Sequence, residues 1–323
     1  MMHQQRQTTG VRRAFTLVEL LVVIAIIGVL VSLGAWGAFA TISVRQHNNT
    51  KGTIQVVHKL LQNRWAQVVA EAKKESPSPA VYALAGGATL DPRGERARVI
   101  WIKVRLAEAF PQSYAEVYPA SVNPNSIVNL YIPPNRRKPH FAKYQTQLTP
   151  LAAGLPGESS ACLLLALKTL GNDGVSVQDQ LGYAIGATDN PNNVGGVPGN
   201  QINTFVDSWG NPLFFYRFPW NNSGLQSSNP AATNAASVVN ADPIDTTGTL
   251  LNKYWYNYGP PKLRQDVFEP QFHPVRTSAG NAYYVVPVIA SAGKDGILDL
   301  GGDLSAIGQG AADNIFSFQL RGE

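Results

Sequence analysis

The alternation of apolar and polar positions divides the chain into a few long stretches. From Leu20 to Val44 there is no charged residue. As a helix this run would measure ~37 Å, enough to cross a hydrocarbon core of about 30 Å. Beyond Arg45 the pattern becomes amphipathic: Ile54, Val57, Leu61, Trp65, Val68 and Ala72 recur at three- and four-residue steps. Arg45, Lys51, Lys59, Arg64 and Lys73 fall mostly on other faces. With no proline before Pro77, one helix from Phe15 to Glu75 is predicted, ~90 Å long. Ser76-Pro77-Ser78-Pro79 ends it.

Further along, Arg98–Val104 leaves a strand and the start of a helix reaching Phe110 both open. The Pro133–Pro139 stretch, with Arg136, Arg137 and Lys138, reads as a basic, solvated loop. Residues 158–167 read as a short buried helix, capped by Ser159 or Ser160 and followed by Gly171. Asp207-Ser208-Trp209-Gly210-Asn211-Pro212 is a tight turn feeding the strand Leu213–Arg217. Residues 283–291 form another strand, pushed toward a sheet edge by Pro287. Residues 185–204 and 221–248, rich in Asn, Gly, Ser, Ala and Pro, are expected to be surface loops. No internal repeat is found.

Composition narrows the class. The 323 residues are 44% apolar and only 15% charged, with 12 Phe, 12 Tyr and 6 Trp, which excludes global disorder. Cys162 is the only cysteine, so there is no disulfide framework; within an apolar run it reads as a core thiol. The net charge is +5. Arg6, Arg12 and Arg13 carry three of those charges in an acid-free start, so the remainder gives no reason to expect nucleic acid as a partner.

Arg12 and Arg13 ahead of the apolar run place that side in the cytoplasm. The run is too long for a cleaved secretory signal, whose apolar region spans about 7–15 residues. A plain membrane anchor explains length and charge but leaves Glu19 without purpose, because an intramembrane carboxylate costs ~2.5–3.5 kcal/mol at full depth. Glu19 therefore calls for a partner.

Ala14-Phe15-Thr16-Leu17-Val18-Glu19, followed by the long apolar helix, resembles the type IV prepilin signal shared by pilins and type II secretion pseudopilins. The resemblance implies cleavage between Ala14 and Phe15 by prepilin peptidase and N-methylation of Phe15. The usual residue before the cut is Gly, so Ala14 is a departure. The new Phe15 amine would pair with Glu19 of a neighbouring subunit and set the axial register of parallel helices. An unpaired buried charge there costs about 3–5 kcal/mol. Glu19 is thus read as an assembly residue.

The carboxy-terminal segment adds to this. The Asp207–Pro212 turn resembles the one that enters the small antiparallel sheet of major-type pseudopilins. Ser291-Ala292-Gly293-Lys294-Asp295-Gly296, with Asp299, Asp303 and Asp313 behind it, fails the EF-hand spacing. It resembles the loop that closes major pseudopilins and binds calcium there. By that resemblance Asp295 and Asp313 are the implied calcium ligands, with Asp303 and Asp299 in support. Calcium takes 6–8 oxygens, so backbone and water would complete such a site.

Enzyme signatures are missing: His3, His47, His58, His140 and His273 form no metal spacing, and neither a phosphate loop nor a Gly-x-Ser-x-Gly elbow occurs. The expected fold is α+β: a long amino-terminal helix as spine, packed on a small antiparallel sheet, with large loop insertions. The expected segments are a 1–14 leader, a 15–44 membrane and filament-core helix, a 45–76 amphipathic half and a 77–323 pilin-like domain. Insertions fall at about 80–205 and 221–280, and the Asp/Gly loop at 291–313. The function this implies is structural, not enzymatic: a pseudopilin or minor pilin. Its partners would be prepilin peptidase, other subunits, the inner membrane and assembly-platform proteins. Major pseudopilins are far shorter, which favours a specialised subunit. A periplasmic binding protein or an enzyme anchored in the inner membrane by a pilin-like leader is the alternative.

Overall fold

The computed structural model describes residues 17–148, 157–170, 177–188, 202–219, 242–247, 249–250, 286–298 and 313–322. The side chains of 34–40 lie outside that description. The chain divides into two compact units, Met1–His47 and Asn48–Glu323. The architecture is α+β, with a long amino-terminal helix and small antiparallel sheets.

Helix α1 runs Leu17–Ala72, close to the extent expected from the proline-free pattern. In the first unit its described side chains are exposed from Leu17 to Leu33. In the second unit the three- and four-residue spacing does its work. Ile54, Val57 and Leu61 are fully buried in the main core. Trp65 stacks on Phe110 at 5.5 Å between centroids and meets Phe218 edge-on at 5.8 Å.

The described residues between 79 and 181 carry seven α-helices where the sequence pattern showed mainly apolar runs and turn signals. These are α2 (Pro79–Leu84), α3 (Gly87–Leu90), α4 (Glu95–Ala109), α5 (Ile127–Tyr131), α6 (Pro139–Leu148), α7 (Glu158–Thr169) and α8 (Val177–Leu181). At α2, Ser78 is the N-cap: its hydroxyl accepts from the Val81 N–H and donates to the Tyr131 carbonyl. Arg98–Val104 belongs to α4, so the helix alternative holds. This helix is buried from Val99 through Ala109, on all sides. A helix buried all round has no polar face, so its sequence shows no 3.6-residue period and resembles a strand.

Three charges of α4 are buried, and each is paired. Lys103 donates to Asp242 at 2.7 Å, with neither side chain meaningfully exposed. Arg105 bonds Glu75 and Glu108 and covers the Trp101 ring at 4.5 Å. On the other side of that network, Arg136, Arg137 and Lys138 are engaged rather than solvated. Arg136 donates to the Ser76 carbonyl and lies over Trp101; Arg137 donates to Asn129; Lys138 meets Glu75 at 2.7 Å. The expected free basic loop is therefore a clasp on the end of α1.

Strands β1 (Ile185–Thr188) and β2 (Ile202–Phe205) pair antiparallel, within a region expected to be loop. Strands β3 (Phe214–Tyr216), β4 (Val288–Ser291) and β5 (Ile315–Phe316) form a second antiparallel sheet in the order β3-β4-β5. So β4 is central, not an edge. Pro287 precedes it and removes no ladder bond. Alternation along the strands splits the sheet: Phe215, Ile289 and Ile315 face the main core, whereas Val288, Ala290 and Phe316 join Val286 in a second cluster.

The expected serine cap on α7 is corrected. Gly157, at φ +77°, precedes the helix without a side-chain cap. Ser160 instead exchanges hydrogen bonds with both backbone groups of Phe205, and Ser159 accepts from the Phe215 N–H. The two serines fasten α7 to β2 and β3. Cys162 is fully buried in the same helix.

Candidate functional site

Two regions carry the expected chemistry. In the first, Glu19 sits in the first turn of α1 and is exposed. Ala14 and Phe15 lie outside the described residues. Around Glu19 the helix presents apolar side chains to its surroundings: Leu17 is 80% exposed and Leu30 63%. Soluble surfaces rarely keep so long an apolar face uncovered. Ser32 disrupts it little, because its hydroxyl donates to the Val29 carbonyl at 2.8 Å within the helix. Among the described residues no helix is long and apolar enough to cross a membrane. The side chains of 34–40, in the middle of the uncharged run, lie outside that description.

The second region is a corner where the Asp207–Pro212 turn meets the loop after β4. Asp207 organises the turn: one carboxylate oxygen accepts from the Trp209 and Asn211 N–H groups, each at 2.9 Å. The Leu213 N–H returns to the Phe205 carbonyl and locks the chain direction from β2 into β3. The other Asp207 oxygen accepts from the Ser291 hydroxyl at 2.7 Å, and that hydroxyl accepts from the Gly293 N–H. Asn211 completes the joint by donating to the Gly293 carbonyl at 2.9 Å. A third tie reaches α1, where the buried Thr50 hydroxyl accepts from the Ser208 N–H. Burial pushes the Asp207 pKa up, against the pull of its hydrogen bonds from Ser291 and the turn N–H groups.

Of the implied calcium ligands, Asp313 closes this loop. Its carboxylate accepts from the Lys294 N–H at 2.7 Å and the Asp295 N–H at 3.3 Å. Gly293 makes the approach possible: it has φ +68°, and a Cβ there would stand 2.5 Å from the Asp313 carboxyl carbon. Asp295 is exposed and turns back to accept from the Ile297 N–H. Asp299 and Asp303 lie outside the described residues. Among the described residues no three His, Cys, Asp or Glu side chains converge as a metal cage. The described pair alone falls short of the six or more oxygens that calcium requires.

The joint between the two segments escaped sequence reasoning. The turn was legible, and so was the Asp/Gly loop. That Asp207 receives Ser291 across 84 positions had no local signal. Elsewhere, burial holds the Cys162 thiol well above its ordinary pKa, which suits an inert core thiol.

Comparison with known proteins bears on the amino terminus alone. Residues 11–35 match the family model described as the prokaryotic N-terminal methylation motif. No curated protein and no solved structure matches the chain. The matched segment contains Ala14, Phe15 and Glu19 and ends within the uncharged run of α1. It supports a type IV prepilin-like protein, with an amino terminus of the kind that prepilin peptidase processes and that assembles with other pilin subunits.

Proposed function

We propose that this protein is a structural subunit, a pseudopilin or minor pilin, of a type II secretion or type IV pilus-like filament. The methylation motif at residues 11–35 carries the reading. The exposed apolar surface of α1 within that segment, Leu17 to Leu33, supports the same reading. In this account the chain waits in the inner membrane with its leader in the cytoplasm and its carboxy-terminal unit in the periplasm. Prepilin peptidase cuts between Ala14 and Phe15, and Phe15 is methylated. Assembly-platform proteins then move the helix from lipid into a bundle of like helices, an exchange of one apolar surrounding for another that costs little. Glu19 of one subunit meets the Phe15 amine of the next and sets the register.

The test is Glu19→Ala in the native host. The variant is expected to be inserted and cleaved, with an N-methylated Phe15 by mass spectrometry of the membrane fraction, yet absent from filaments. An anchored binding protein or enzyme would work unimpaired with the same change. A wild-type chain that keeps its first fourteen residues and never polymerises ends the proposal. For the loop we propose calcium held by Asp295 and Asp313 with Asp303 and Asp299. Calorimetric titration with calcium decides this, and no heat together with no shift in melting temperature removes the metal.

A further inference from the structure

A cavity of about 310 Å³ opens in the second unit between the last turns of α1, the end of α4, the start of α6 and the end of α7. That is the lower end of the range in which proteins hold small ligands. Its two inner acids, Glu75 and Glu108, are already committed. Glu75 accepts from Lys138 on one oxygen and Arg105 on the other. Glu108 accepts from the Lys138 N–H on one oxygen and from Arg105 on the other. Glu71 reaches Lys138 at 3.7 Å.

The donors are not used up in the same way. Lys143 lines the cavity, is exposed and makes no ion pair among the described residues. The His140 Nε2 is buried and has no protein partner. Its ring leans on Tyr144 at 5.4 Å. Burial, with Lys138, Arg105 and Lys143 nearby, lowers the His140 pKa to about 4. The imidazole is therefore neutral at ordinary pH and carries one N–H. Arg64, Arg105, Lys138 and Lys143 against Glu71, Glu75 and Glu108 leave the lining with a surplus cation. Val68, Ala72, Ala109 and Leu170 supply an apolar floor.

We propose that this cavity binds a carboxylate carried on a short apolar body, the carboxylate at Lys143 and the His140 Nε2, the apolar part on Val68, Ala72, Ala109 and Leu170. The site goes beyond the filament reading and does not depend on it. A cation would find Glu75 and Glu108 already engaged by Lys138 and Arg105, and a fully polar anion would leave the apolar floor unused. The same chemistry is offered by a small organic acid and by the free carboxy-terminus of a peptide.

The experiment is calorimetric titration of the full chain in neutral detergent. The probes are hexanoate, a short peptide ending in leucine with a free carboxylate, its amidated twin, and inorganic phosphate. Binding of hexanoate or of the free-acid peptide is expected, and which one binds identifies the source. Lys143→Glu should weaken binding about tenfold or more, the loss of a charge-assisted hydrogen bond. His140→Phe should weaken it by a similar factor while leaving the melting temperature unchanged or raised, since an unpartnered buried nitrogen is removed. The proposal is overturned if neither carboxylate binds, if the amidated peptide or phosphate binds as tightly, or if both variants keep wild-type affinity.

Discussion

Replacing Asp207 tests how the corner is held. The side chain is 5% exposed and receives three donors: the Trp209 and Asn211 N–H groups and the Ser291 hydroxyl. Asp207→Ala leaves all three without their acceptor. A buried donor left unsatisfied costs roughly 1–3 kcal/mol. The two turn N–H groups are only partly buried and can reach water, so the low end applies to them. The expected loss is about 3 kcal/mol, or roughly 6–12 °C in melting temperature for a domain of this size. Asp207→Asn should behave differently. Its amide oxygen keeps the two turn bonds, and its NH₂ can donate to the Ser291 hydroxyl, which must then find another acceptor. About 1 kcal/mol is expected there.

The pH dependence gives an independent sign. Because burial raises the Asp207 pKa above its ordinary 3.8, the folded state binds this proton more readily than the unfolded state. Its contribution is complete below the unfolded value and is lost as pH rises through the folded one. Thermal unfolding of wild type, Asp207→Ala and Asp207→Asn across the carboxylate range checks both statements. The reasoning fails if alanine costs under about 1 kcal/mol, if asparagine is as damaging as alanine, or if the Asn variant keeps the full pH slope in this range.

Other expectations are more compact. Lys103→Met alone or Asp242→Asn alone should cost about 3–5 kcal/mol by denaturant unfolding, whereas replacing both by apolar residues of similar volume should be near neutral. Gly293→Ala forces a Cβ onto the Asp313 carboxylate at a left-handed φ. A loss of at least 1 kcal/mol is expected, with faster amide exchange at Lys294 and Asp295, whose N–H groups Asp313 accepts. Burial raises the Glu75 pKa, but Lys138 and Arg105 outweigh it and hold the carboxyl below its ordinary 4.5. Its stabilisation is present above the unfolded value and lost as pH falls through the folded one. Glu75→Gln should therefore flatten the acid limb of the stability curve measured by circular dichroism.

What could be read along the chain depended on whether the cause was local. The amphipathic half of α1 announced itself because Ile54, Val57 and Leu61 face a core while Gln55, Lys59 and Gln62 face water. The Asp207 turn was legible because its carboxylate bonds its own next few N–H groups. By contrast α4 hid its type, since partners cover it on every side. The serines of α7 look like caps in sequence, but the backbone groups of Phe205 and Phe215 claim their hydroxyls from across the fold. Pro287 suggested an edge because the pairing of β4 on both sides is set by strands far away in sequence. The methylation motif was readable because a peptidase must recognise it as a linear segment.

The helical layer is not an appendage on a small pilin-like sheet. Ile100, Val104 and Leu106 of α4 and Cys162 and Leu163 of α7 belong to the same buried cluster as Phe215, Ile289 and Ile315 of the sheet and Val57 and Leu61 of α1. An insertion that merely decorated a loop would close its own core and leave the sheet packed against α1 alone. Here the clasp on the end of α1 comes from Arg105 and Lys138, both within that layer. Excising 80–205 would uncover the core face of β3 and β4 and strip the countercharges from Glu75. The helical layer of this chain therefore serves the grip on the end of α1.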